Sequence, residues 1–140
     1  MKTTLITVGR LRSPFTEADA HYRRMLGRYQ PIRVVEARDD DDLMSKLPDH
    51  STGRMVALDR GGEALDSVGW SRWLDDRRLE ARDVALLIGG PDGLPEGALD
   101  AAQQRISLGP QTLAHQLARL VVLEQLFRAA KILAGEPYHR

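Results

Sequence analysis

Cysteine is absent from all 140 residues. That absence excludes disulfides, thiolate metal sites and cysteine nucleophiles, and it makes a cytoplasmic location the natural expectation. No apolar run approaches the ~18 residues of a membrane-spanning helix, so no membrane crossing is expected. Met1-Lys2-Thr3-Thr4-Leu5-Ile6 runs straight into a strand pattern, with no signal-peptide cleavage region. Repeats, low-complexity tracts and linkers are missing too. What remains is an ordinary globular composition, 42% hydrophobic and 29% charged, enough chain for one domain with a real core over residues 1–140.

Net charge is also zero, but it is unevenly spread: residues 1–35 carry +5, residues 36–100 carry −8 and residues 101–140 carry +3. The two ends, not the middle, are suited to a polyanion. The run Asp39 to Asp42 reads as a solvated helix start leading to Leu43 and Leu47 and closed by Pro48. The turn glycine and partner ligands that a cation loop needs do not follow it, and no metal site is expected.

The patterns alternate between strand and helix. Strands are expected at Thr4–Val8, Ile32–Val35, Met55–Asp59, Val84–Ile88 and Ile106–Leu108. Helices are expected from Thr16 to Tyr29, from a Ser67 cap to Glu80, near Pro95–Gln104, and from Thr112 to Ala134. In the Ser67 helix, Val68, Trp73 and Leu74 should face inward, with Trp70 beside them. This order is the signature of a mostly parallel sheet with helices on both faces.

Three strand ends are unusual: Leu58-Asp59-Arg60-Gly61-Gly62, Ile88-Gly89-Gly90-Pro91-Asp92-Gly93 and Leu108-Gly109-Pro110-Gln111-Thr112. Ligands of parallel sheets gather at such ends, and glycine lets main-chain groups approach a ligand closely. No Lys-Ser/Thr pair follows Gly93, so this is not a phosphate-cradling loop, and the dinucleotide spacing is absent. A neutral or cationic cofactor held by backbone fits better. The final helix carries apolar residues over a wide arc, which implies burial against the sheet and a partner subunit. His115 at its start could touch a ligand, and Glu124 and Arg128 are spaced to pair. Beyond Gly135, Tyr138-His139-Arg140 offers an aromatic face for stacking a base, an imidazole and a phosphate-binding guanidinium.

Taken in order, these motifs resemble the RlmH family, pseudouridine N3-methyltransferases of the large ribosomal subunit within the SPOUT superfamily. The resemblance rests on Leu58-Asp59, then Leu87-Ile88-Gly89-Gly90-Pro91-Asp92-Gly93-Leu94, then Ser107-Leu108. It continues through Thr112-Leu113-Ala114-His115-Gln116-Leu117-Ala118-Arg119, Glu124-Gln125-Leu126-Phe127-Arg128-Ala129 and Pro137-Tyr138-His139-Arg140. It covers essentially the whole chain and is strongest from Met55 onward. It implies an α/β fold with a C-terminal trefoil knot, rare among protein chains, and a homodimer paired through the knot region. It also implies S-adenosylmethionine as cofactor and 23S rRNA within the ribosome as substrate. Carried across, the cofactor contacts are Leu58, Gly89, Gly90, Leu108, Gly109, Pro110, Gln111, Thr112 and Leu113. The substrate side is His115, Arg128, Tyr138, His139 and Arg140, with the terminal segment reaching the partner's pocket. Two departures stand out. Gly109-Pro110-Gln111 replaces a serine-rich turn, and the short segment holding Asp39 to Asp42 stands where relatives often have a lysine-rich insertion.

The missing cysteine agrees with this reading. Methylating a pyrimidine carbon usually needs a thiol to add to the ring, so a ring nitrogen or ribose oxygen is the sensible acceptor. An imide N3–H needs a proton acceptor and a cation near the developing charge. His139 or a water would take the proton, and Arg128 or Arg140 would stabilise the anion. A tRNA methyltransferase of the same superfamily and a non-enzymatic RNA-binding or assembly protein are the alternatives.

Overall fold

A computed structural model describes residues 1–139; Arg140 lies outside the described residues. Ten elements alternate along the chain: β1 (Thr3–Val8), α1 (Phe15–Leu26), β2 (Ile32–Ala37), α2 (Asp40–Ser45) and β3 (Gly53–Ala64), then α3 (Ser67–Glu80), β4 (Asp83–Ile88), α4 (Glu96–Ala101), β5 (Gln104–Ser107) and α5 (His115–Leu133). The five strands form one sheet in the order β2-β1-β4-β3-β5, with every pairing parallel.

Side chains of a strand alternate between the two faces of its sheet. In β4, Val84, Leu86 and Ile88 enter one core with Trp70 and Trp73 of α3 and Leu123, Leu126 and Phe127 of α5. Ala85 and Leu87 enter the other with Leu43 of α2 and Ala98 of α4. Helices α1, α3 and α5 thus cover one face and α2 and α4 the opposite one. The sheet is buried on both sides, which is why β4 reads as a continuous apolar run.

The ends of the elements explain where sequence expectations shift. Asp66, not Ser67, caps α3 by accepting the Gly69 N–H at 2.7 Å. Ser67 is the first helical residue, and its hydroxyl donates to Gln125 Oε1 at 2.7 Å. Val68 then points away from the core at 38% exposure, while Trp70, Trp73 and Leu74 are buried as expected. Asp39 caps α2 through the Asp42 N–H at 2.8 Å, so the acidic run is a helix start. Helix α5 begins at His115, three residues later than its apolar pattern suggests, because 108–114 are extended loop. Helix α4 is also shorter than expected, and β5 begins two residues earlier.

Strand β3 departs most. It does not stop at Asp59: Ile106 of β5 is paired with both Leu58 and Glu63, so residues 59–62 bulge out and pairing resumes beyond them. Asp59 Oδ2 accepts the Gly61 N–H at 3.0 Å to close the bulge. A Cβ on Gly62 would lie 2.5 Å from the Arg105 carbonyl carbon, so only glycine allows this return to β5. Such bulges commonly re-aim side chains beside functional sites.

Candidate cofactor site

The carboxyl ends of β3, β4 and β5 and the approach to α5 enclose a cavity of about 380 Å³. Each wall is one of the glycine-punctuated bends. The β3 bulge supplies Leu58, Asp59 and Arg60; the β4 bend supplies Ile88 to Leu94; the β5–α5 loop supplies Leu108, Gly109, Gln111, Thr112 and Leu113. His115 and Ala118 close the side formed by α5.

The β4 bend is built by backbone packing. Gly93 N–H donates to the Gly90 carbonyl at 3.0 Å, folding the bend back on itself. A Cβ on Gly89 would sit 2.2 Å from the Gly93 carbonyl carbon and 2.4 Å from Leu94 N. In the third bend, Gly109 takes φ +115°, a conformation side chains rarely adopt. The Ser107 hydroxyl ties this bend by accepting the Gly109 N–H and donating to its carbonyl, both at 3.1 Å. Of the residues expected to hold a cofactor, all line the cavity except Pro110, which stands exposed on the outside of its bend. Sequence reasoning flagged the loops but not the charges they bring: Asp59, Arg60 and Asp92 also line the cavity.

A buried ion-pair network stands behind this wall. Arg119 of α5, 4% exposed, donates to both oxygens of buried Asp19 in α1, at 2.8 and 3.1 Å. It also donates to Glu36 of β2 at 2.7 Å. Burial pushes the Glu36 carboxyl up, but the Arg119 hydrogen bond, the Leu11 N–H and the charges of Arg119 and Arg10 outweigh it and leave the carboxyl below its ordinary value. The Arg12 N–H donates to Gln116 at 2.9 Å, so the β1–α1 loop is fastened beside His115.

The other candidate side chains lie elsewhere. Glu124 accepts Arg128 Nη2 at 2.7 Å and Nε at 3.1 Å, and it receives the Tyr138 hydroxyl at 3.3 Å. The Tyr138 ring packs edge-on against Phe127 and under the Arg128 guanidinium, 4.7 Å from its centroid. His139 Nδ1 lies 3.4 Å from Arg128 Nη1. Arginine can only donate, so this contact requires Nδ1 to be unprotonated. Glu136 fastens the segment by accepting Tyr29 Oη at 2.7 Å and Lys131 Nζ at 2.6 Å. The candidates therefore form two groups: His115 at the cavity, and Arg128, Tyr138 and His139 at the far end of α5. Thirteen residues of helix separate His115 from Arg128, ~20 Å.

Burial first, and the Glu124 charge second, push the Tyr138 phenol up to about 12. It is a hydrogen-bond donor at neutral pH, not a base. Because its value is raised, its contribution to stability is present below the ordinary value of 10.0 and is lost as pH climbs towards 12. In an ultraviolet titration Tyr138 should ionise above the ordinary tyrosine value. Glu124→Gln should move it back towards its ordinary value; an unmoved titration would show that the phenol does not feel Glu124.

An all-parallel sheet covered on both faces, with a glycine-walled cavity at the carboxyl ends of its strands, defines an α/β protein built to hold a small ligand on its main chain. The chain belongs to the SPOUT methyltransferase family, whose model, described as "Predicted SPOUT methyltransferase", matches residues 1–139. It is 36% identical over 156 aligned residues to the ribosomal RNA large subunit methyltransferase H of Gemmatimonas aurantiaca, covering 100% of both chains. It is 41% identical over 159 residues to the protein of that name from Anaeromyxobacter sp. strain Fw109-5, again covering 100% of both. Solved structures of low identity share the fold. A methylase-family protein from Haemophilus influenzae matches 99% of this chain and 70% of its own at TM-score 0.63 and 10% identity. A methyltransferase candidate from Legionella pneumophila, solved with bound S-adenosylmethionine, matches 90% of this chain and 65% of its own at TM-score 0.53 and 14% identity.

Proposed function

We propose that the protein transfers a methyl group from S-adenosylmethionine to N3 of a pseudouridine in 23S rRNA of the large ribosomal subunit, working in the cytoplasm as a homodimer. The observation that carries this reading is the cavity itself: three main-chain bends, in a chain of this family, meeting at one point. Its size falls within the ~300–1,000 Å³ typical of small-molecule sites. Its lining also fits the cofactor. Main chain and Leu58, Leu108 and Leu113 suit an adenosine, while Asp59, Asp92 and Arg60 suit the cationic and zwitterionic end of a sulfonium amino acid. Helix α5 has no side-chain cap and begins at the cavity, so its first-turn N–H groups favour a ligand carboxylate there.

When bound, the cofactor supplies an electrophilic methyl group on a sulfonium. The protein's own residues do the rest. The Gly89 and Gly109 bends orient the reactants, and Leu58 and Leu113 exclude water, which is where most of the acceleration arises. Arg128 stabilises negative charge on the imide as N3 loses its proton, and His139 or a water accepts that proton. While Arg128 holds His139 Nδ1, that nitrogen is not free to act as a base, so the proton passes to it only when Arg128 turns to the substrate.

Because Arg128, Tyr138 and His139 lie a helix length from their own cavity, the reading requires a second copy. One protomer's cavity is completed by the partner's Tyr138 and the partner's His139. The half-buried Leu120 and Val121 and the exposed Leu117 of α5 supply apolar surface for that pairing. The reading includes a trefoil knot threaded through this region, and the tight backbone approaches of Gly89 to Gly93 and of Gly62 to Arg105 support it.

The test is incubation of large ribosomal subunits with isotopically methyl-labelled cofactor, followed by mass mapping of the rRNA. One label on a pseudouridine base is expected, and His139→Ala should lower its rate. Label on bulk tRNA instead, or no label on any RNA, contradicts the proposal.

A further inference from the structure

We infer that the outer face of α1 and the turns at its two ends form the track on which the protein holds ribosomal RNA phosphates, with Arg12, Arg24 and Arg28 as its contacts. The inference rests on the RNA-methyltransferase reading above. Its basis is which cations the fold leaves over. Several basic side chains elsewhere are matched to carboxylates: Arg54 and Arg77 share Glu80, Arg128 holds Glu124 and Lys131 holds Glu136.

Around α1 the pattern reverses. Arg12, Arg24 and Arg28 are all exposed, and among the described residues none is paired with a carboxylate. Asp19, which could have neutralised the helix, is buried and committed to Arg119. Glu17, in the first turn, is the remaining acid of α1 and favours that helix end. Arg10 is left out because its charge already acts on Glu36.

The position of the strip matters as much as its charge. Helix α1 lies along α5, joined to it at Arg12 with Gln116, at Asp19 with Arg119 and at Tyr29 with Phe127. Its twelve residues therefore run ~18 Å from the cavity end of α5 towards the Arg128 end. A phosphate backbone laid on this strip would run from one protomer's cavity to the Arg128 end that serves the second copy. Guanidinium groups suit such a role because their planar fork matches phosphate oxygens. With a net charge of zero the molecule has no general attraction for RNA, so a local unneutralised strip is where it would hold one.

The experiment uses the full-length protein and purified large ribosomal subunits. Arg24→Gln with Arg28→Gln should raise KM and Kd for subunits roughly tenfold or more at ~0.1 M salt, and lower the slope of log Kd against log salt by about 1.5. Turnover at saturating subunits and affinity for S-adenosylmethionine should stay as in the unmodified protein. Arg24→Lys with Arg28→Lys should recover most of the affinity. Arg72→Gln serves as the control: exposed Arg72 on α3 has Asp75 and Asp76 three and four residues on, so its loss should change nothing. An unchanged KM in the active double glutamine variant, or an equal rise in Arg72→Gln, overturns the phosphate track alone. Unmodified protein that methylates no ribosomal RNA overturns the track together with the reading it rests on.

Discussion

Gly89→Ala should cost the protein its cofactor while leaving most of its fold. The added Cβ would meet the Gly93 carbonyl at 2.2–2.4 Å and Leu94 N at 2.4 Å. All of these are backbone atoms, so no rotamer change relieves the clash. The β4 bend must open, and it forms one wall of the cavity. Overpacking of this kind typically destabilises by ~1–3 kcal/mol. The same displacement should weaken S-adenosylmethionine binding by about a hundredfold, since each ~1.4 kcal/mol is a factor of ten. Calorimetric titration alongside thermal melting separates the two effects. Gly90→Ala makes the comparison, because its Cβ would meet only Val8 side-chain carbons at 3.3 Å and beyond. If Gly89→Ala binds the cofactor as the unmodified protein does, the bend is not its wall.

The second large effect is Arg119→Met. Its loss leaves Asp19, whose side chain is 5% exposed, with only Arg23 at 3.8 Å. Removing one partner of a buried ion pair typically costs ~3–5 kcal/mol, because the remaining charge stays buried. A domain of this size should lose roughly 10 °C or more in Tm. The variant should also respond differently to acid. In the unmodified protein the Glu36 carboxyl is held below its ordinary value of 4.5, so the stability it contributes is present above that value and is lost as pH falls below it. Without Arg119 that acid-side loss should shrink. Pairing the change with Asp19→Asn should recover part of the stability, and a Tm within ~2 °C of the unmodified protein for the single variant would mean the network adds little.

Much of this architecture is legible in the sequence, for identifiable reasons. Short apolar runs bounded by turn residues mark all five strands, and doubly covered β4 is nearly continuous in Val, Leu and Ile. The glycine-rich ends of β3, β4 and β5 point to the cavity because parallel sheets collect ligands there. What escapes is non-local. Arg119 reads as one polar break in an apolar helix, and its partner Asp19 is 100 residues away. The β3 bulge is set by its return to β5, so glycines at 61 and 62 look like a strand end. Val68 reads as core by composition, yet starting α3 one residue after an Asp66 cap turns it outward. The late start of α5 is likewise invisible, since Thr112 and Leu113 continue its apolar pattern while serving the cavity. Spacing also cannot say that Arg128 and His139 stand at the opposite end of α5 from His115, although that separation leads to the proposed second subunit.

The account turns on whether the three bends hold the methyl donor. Amide NMR of the isotopically labelled protein, titrated with S-adenosylmethionine, asks this directly. Saturable shifts concentrated at Leu58–Arg60, Ile88–Leu94 and Leu108–Leu113, with one site per chain, are the predicted result. Shifts that do not saturate, or that fall outside those three bends, would contradict it.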